Sequence, residues 1–183
     1  MKTTLCMHGA TLVLTLFLAA CATPPAQLNT HSSRTSPYDK PVKRMLVVVG
    51  GLGVLDSRGV RSQLLDQLKS NQVSALVLQH DPMLIREPLL ANQDAVRALR
   101  PQAFLKLQAL RWSNSLHGNV QAHFAASLSV PGGRSVWEAR FVMTGVEQGE
   151  SLLVSALVKK LVEDRIIDKD APAPDDTPAA RKT

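Results

Sequence analysis

NVQAHFAASLSVPGGRSVWEARFVM, residues 119–143, decides the fold. Val120, Ala122, Phe124, Ala126, Leu128 and Val130 fall on one face of an extended chain, and Asn119, Gln121, His123, Ser127 and Ser129 on the other. Apolar residues at every second position mark a strand with one buried and one open face. Pro131-Gly132-Gly133 then supplies a turn. Beyond it Trp137, Ala139, Phe141 and Met143 continue the apolar face and leave Glu138 and Arg140 on the polar side. Upstream, Phe104 to Trp112 reads as a third strand, joined through Ser-Asn-Ser-Leu-His-Gly. The second half of the chain is therefore an antiparallel meander covered on one side.

Outward from the meander the period changes. Arg44 to Val49 is apolar on both faces, as an interior strand requires. Between Ser57 and Lys69, Val60, Leu64, Leu65 and Leu68 form one helical face, with Arg58, Arg61, Asp66 and Lys69 off it. Ser74 to Gln79 is a second strand, stopped by His80-Asp81-Pro82, and Asn92 to Leu99 is a short helix closed by Pro101. Pro82 to Leu90 fits neither period. A last helix from about Glu150 to Asp164 carries its acid first and Lys159-Lys160 near its end, in keeping with the helix dipole. The expected fold class is α+β, a two-layer α/β arrangement. It has the order βαβα, a three-stranded antiparallel meander and a C-terminal helix, with helices mainly on one face of a five-stranded mixed sheet.

VVVGGLGVLDSRG, residues 47–59, has the outline of a dinucleotide-binding turn. Gly51 and Gly53 fit the G-x-G-x-x-G pattern, but the third position is Asp56, a carboxylate where the helix N-terminus should receive phosphate. No Gly-Lys-Ser/Thr follows for a P-loop. The turn reads instead as a strand-to-helix connection in which glycines supply unusual backbone angles and Asp56 or Ser57 caps the helix.

MKTTLCMHGATLVLTLFLAAC, residues 1–21, has a lysine at position 2 and an apolar stretch from Ala10 to Ala20, the layout of a secretory signal. Leu18-Ala19-Ala20-Cys21 resembles the bacterial lipobox. The resemblance implies recognition through Leu18, Ala19 and Ala20, cleavage before Cys21, and acyl chains of the palmitate kind on Cys21. Ala22, where an aspartate would mark inner-membrane retention, favours the periplasmic face of the outer membrane. Such a location withholds NAD and ATP, so no nucleotide, nucleic acid or cofactor other than the covalent lipid is expected.

Cleavage would remove one lysine and no acid, taking the net charge from +6 to +5, compatible with anionic head groups or cell-wall polymers. Cys6 leaves with the signal and Cys21 takes the lipid, so no cysteine remains for a disulfide or thiolate metal site. Residues 22–41, rich in Pro, Ser and Thr, read as a disordered tether after the lipidated Cys21, with a reach of about 25 Å. Residues 42–167 form one globular domain, and the Pro-rich, charged residues 168–183 a disordered tail.

Together, the lipobox, the tether, the strand-Gly-helix start and Ser135-Val136-Trp137-Glu138-Ala139 resemble a group of small envelope lipoproteins. These are relatives of the TolB amino-terminal domain, the curli-secretion lipoprotein and the lipoprotein activators of penicillin-binding proteins. The resemblance implies a non-enzymatic adapter or accessory subunit of an envelope protein complex, and carries over no functional residue beyond the lipobox. A periplasmic small-ligand carrier is the alternative. A hydrolase using His80 and Asp81 is a weaker one, because no G-x-S-x-G elbow or H-E-x-x-H metal motif accompanies them. No catalytic or metal site is expected. The expected partner-binding positions are Gln121, His123, Glu138 and Arg140, on the face of the meander that the helices leave open.

Overall fold

The computed structural model describes residues 26–36, 38, 40–52, 55–80, 92–114, 120–145 and 148–170. Cys21 and the lipobox, Gly53, Asp81 and the stretch Pro82 to Leu90 lie outside them. The elements are β1 (Gln27–Arg34), β2 (Arg44–Gly50), α1 (Ser57–Ser70), β3 (Ser74–His80), α2 (Gln93–Leu99), β4 (Ala103–Asn114), β5 (Val120–Ser129), β6 (Ser135–Thr144) and α3 (Gly149–Glu163). They form an α+β fold on one mixed sheet of order β1-β6-β5-β4-β2-β3.

The meander forms where the alternation placed it. Leu105 stands opposite Leu128, and Leu128 opposite Trp137; Leu107, Ala126 and Ala139 make the next row. All six are buried on the side of α1 and α3. The turn between β5 and β6 uses its glycines as glycines: Gly132 and Gly133 have φ of +100° and +83°, values that L side chains rarely adopt. α1 buries Val60, Leu64 and Leu68, one residue per turn along a single stripe, and packs against the sheet and α3. α3 buries Leu153, Val154, Leu157, Val158 and Leu161.

Three features differ from the expected arrangement. The sheet has six strands, because Gln27–Arg34, within the stretch read as a tether, pairs antiparallel with β6. Its sequence, QLNTHSSR, holds one apolar residue and no period. The strand is fixed instead by backbone pairing along an edge of β6 that would otherwise be bare. Leu28 packs on the core, and the Arg34 guanidinium donates to the carbonyl oxygen of Asp164.

Second, α2 departs from the layer of α1 and α3. β3 lies on one side of β2 and β4 on the other, both parallel to β2. Two crossovers of the same hand that step in opposite directions put their helices on opposite faces. α2 packs against β2 and β3 on the reverse face, where Leu46 and Leu78 are buried apart from the main core. Third, the segment read as a tail is tied down at its start: the Lys43 ammonium donates to the Asp168 carbonyl at 2.6 Å, and the neighbouring Ile166 and Ile167 are buried.

Trp137 is fully buried and its indole N–H donates to Asp164 Oδ2 at 2.7 Å. Trp137→Phe keeps the ring in the core but loses a hydrogen bond to a carboxylate. It should cost about 2 kcal/mol in denaturant unfolding, with an unchanged m-value.

Candidate functional site: the open face of the sheet

The strand-to-helix turn can be judged from its atoms. Asp56 is the N-cap of α1: Oδ1 accepts from the Arg58 amide and Oδ2 from the Gly59 amide, both at 3.1 Å. Glu150 Oε1 accepts from the Asp56 amide at 3.0 Å. Two carboxylates thus hold the amides and the positive end of the helix that a phosphate would need. Gly50 and Gly51 do not adopt positive φ, and a Cβ at Gly51 would meet nothing within 4 Å. The expected unusual glycine angles are therefore absent at these two positions. Asp56→Ala should cost about 1 kcal/mol as a lost cap, and millimolar NAD or ATP should leave the melting temperature of the wild type unmoved.

His80 ends β3, exposed, and stands opposite Gly50 at the carboxyl end of the parallel strands, a common place for α/β sites. Beside it the Gln79 amide donates to Ser57 Oγ at 2.6 Å. Among the described residues no group of three His, Cys, Asp or Glu side chains could hold a metal ion. A cavity of about 430 Å³ opens at the far end of the sheet, lined by Leu65, Asp66, Lys69, Val73, Ala75 and Leu99. Elsewhere, burial raises the Tyr38 phenol above its usual range. The hydrogen bond joining Lys160 to Glu163 raises the ammonium and lowers the carboxyl.

Gln121, His123, Glu138 and Arg140 share the face of the sheet turned away from α1 and α3. Gln121, Glu138 and Arg140 are exposed and His123 is half-buried. They stand in four successive rows: Gln121 beside Thr144, His123 beside Val142, Arg140 beside Ala125, and Glu138 beside Ser127. Three steps of two residues separate the first row from the last, roughly 20 Å. One plane carries them, without convergence on a point. Ser135 Oγ lies 3.4 Å from Glu138 Oε1.

Neighbouring strands add residues that the alternation of β5 and β6 does not reveal. Lys106 stands beside Ser127, Gln108 beside Ala125 and Arg111 beside His123, while β1 puts His31 beside Arg140. Alternation within β4 could have placed Lys106 and Gln108. Arg111 reaches the same face only through the bulge between Ala109 and Arg111, and His31 only because β1 is a strand. Across β4, β5, β6 and β1, then, Lys106, Arg111 and Arg140 stand with two histidines against the single acid Glu138.

No known protein family matches the chain, and no curated protein matches it. Among solved structures it is similar to a PelC dodecamer from Paraburkholderia phytofirmans, at 14% identity and a TM-score of 0.48, over 77% of this chain and 99% of that one. A variant of that dodecamer gives 14% and 0.48, over 74% and 96%. A PDZ domain protein from Parabacteroides distasonis gives 8% and 0.38, over 85% of this chain and 40% of that one. Replacing His123, Glu138 and Arg140 together with Ala should change stability by no more than about 0.5 kcal/mol per site, read from the denaturation midpoint, because none of the three supports the core.

Proposed function

We propose that the chain is an envelope lipoprotein held at the periplasmic face of the outer membrane by a lipid on Cys21. Its domain serves as a non-enzymatic adapter of an envelope protein complex. The observation that carries the reading is Leu18-Ala19-Ala20-Cys21 at the end of an apolar stretch, directly ahead of a chain that folds into one domain. The open sheet face supports the second half. It is broad, polar and held rigid by its ladder, and such a surface suits docking of a protein partner. The lipid supplies the membrane attachment, and no cofactor is called for.

The two halves are tested separately. Cys21→Ser should abolish both detergent-phase partition and the processing that globomycin blocks; unchanged sedimentation with the outer membrane and no response to globomycin would remove the anchor. The triple Ala variant at His123, Glu138 and Arg140 should stay folded and lipidated but lose its partner on crosslinking and affinity purification. Retention of wild-type capture would place docking elsewhere.

A further inference from the structure

We propose that the end of the sheet carrying Leu110, Arg111 and Trp112 rests in the interfacial region of the phospholipid leaflet to which the chain is anchored, so that the domain has a fixed orientation on the membrane. The inference rests on the reading of Cys21 as lipidated. Three observations carry it.

The first is the shortness of the connection. With Gln27–Arg34 built into the sheet, five peptide units separate Cys21 from Ala26, at most about 18 Å of chain. Ala26 lies against Gly145, whose amide donates to the Val120 carbonyl at 2.8 Å. The chain therefore leaves toward Cys21 at the end of the sheet where β4 finishes and β5 begins.

The second is what that end exposes. Leu28, Met143, Ala122 and Trp112 form one row across four strands, so Trp112 stands about 14 Å from the strand that leads to the anchor. Trp112 is 45% exposed, and Leu110, left unpaired by the bulge, is 54% exposed. No other large apolar side chain described in the meander is exposed: the rest are buried in the core or, like Phe104 and Val142, half-buried.

The third is the polar chemistry between them. Arg111, between the two apolar residues in sequence, is exposed on the open face of the same sheet end, opposite His123. No acid occupies the last rows of β1, β4, β5 and β6 among the described residues. The nearby acids of the helical layer, Asp56 and Glu150, already accept from backbone amides. An indole, an aliphatic side chain and a guanidinium together match the interface of a bilayer, where the ring sits at head-group level and the cation meets phosphate.

The test reconstitutes the full lipidated chain into vesicles of phosphatidylethanolamine and phosphatidylglycerol, with and without phospholipid brominated near the head-group end of its acyl chains. Trp112 is read as the difference in emission between wild type and Trp112→Phe, since Trp137 is buried in both. The expected result is a blue-shifted Trp112 signal, most of which the brominated lipid removes. The mass of the N-terminal peptide reports the lipid independently. A lipidated protein whose Trp112 emission is red and unquenched overturns the inference and leaves the anchor standing. Blue-shifted emission that the brominated lipid leaves unquenched overturns it in favour of burial of Trp112 against protein, a second copy of the chain in these vesicles. An N-terminal peptide without lipid removes the anchor and the inference together.

Discussion

The pairing of β4 with two unlike neighbours holds the two halves of the fold together. β4 runs parallel to β2, with Met45 opposite Ala103, Val47 opposite Leu105 and Val49 opposite Leu107. On its other edge it runs antiparallel to β5, where Leu105 meets Leu128 and Leu107 meets Ala126. The same two leucines are thus in register with the parallel unit and with the meander. A slip of one residue on either side would turn a whole row from the core to solvent. The helical layer depends on that registration, because α1 comes from the parallel half and α3 comes after the meander, yet both cover one continuous core.

Elements whose own side chains supply the burial were legible in the sequence. Val60, Leu64 and Leu68 announce α1, and the alternation from Ala122 to Leu128 announces β5, since in each case the periodic residues are those the core takes up. β1 was illegible for the converse reason. It contributes Leu28 and little else to the core, and it forms because β6 offers an unpaired edge, a tertiary circumstance that no local pattern records. The far-side position of α2 was equally hidden: its sequence fixes a helix, while the side it occupies depends on where β4 pairs. Of the open face, Gln121, His123, Glu138 and Arg140 were legible from alternation alone. Arg111 was not, because the bulge reverses the phase after Ala109.

The addition of β1 changes the physics at both ends of the proposed anchor. A chain free from residue 22 to 41 would wander about 25 Å from the lipid and carry the domain in any orientation. Pairing from Gln27 onward leaves five peptide units between Cys21 and Ala26 and starts the edge strand at one corner of the sheet. The same pairing covers the edge of β6, which would otherwise expose a row of amides and carbonyls. The entry to β2 is fixed as well, since the Val42 amide donates to the Ile166 carbonyl at 2.8 Å, two residues before the strand begins.

One-sided burial also governs what kind of chemistry the domain can present. Nucleophilic acyl transfer brings a nucleophile, a base and a stabilising donor within hydrogen-bond reach of one reacting atom. Neighbouring side chains on a sheet face stand about 4.8 Å apart across strands and about 7 Å apart along them, and they project side by side. The rows of Gln121, His123, Arg140 and Glu138 keep that lattice, with small residues such as Ala125 and Ser127 between them. At the other plausible place, the switch point beside Gly50, the converging amides of α1 are held by Asp56. Among the described residues, both surfaces offer separated, fixed contacts. On the adapter reading proposed above, such a face would meet a partner through many weak contacts whose rigidity leaves little further ordering to occur on binding.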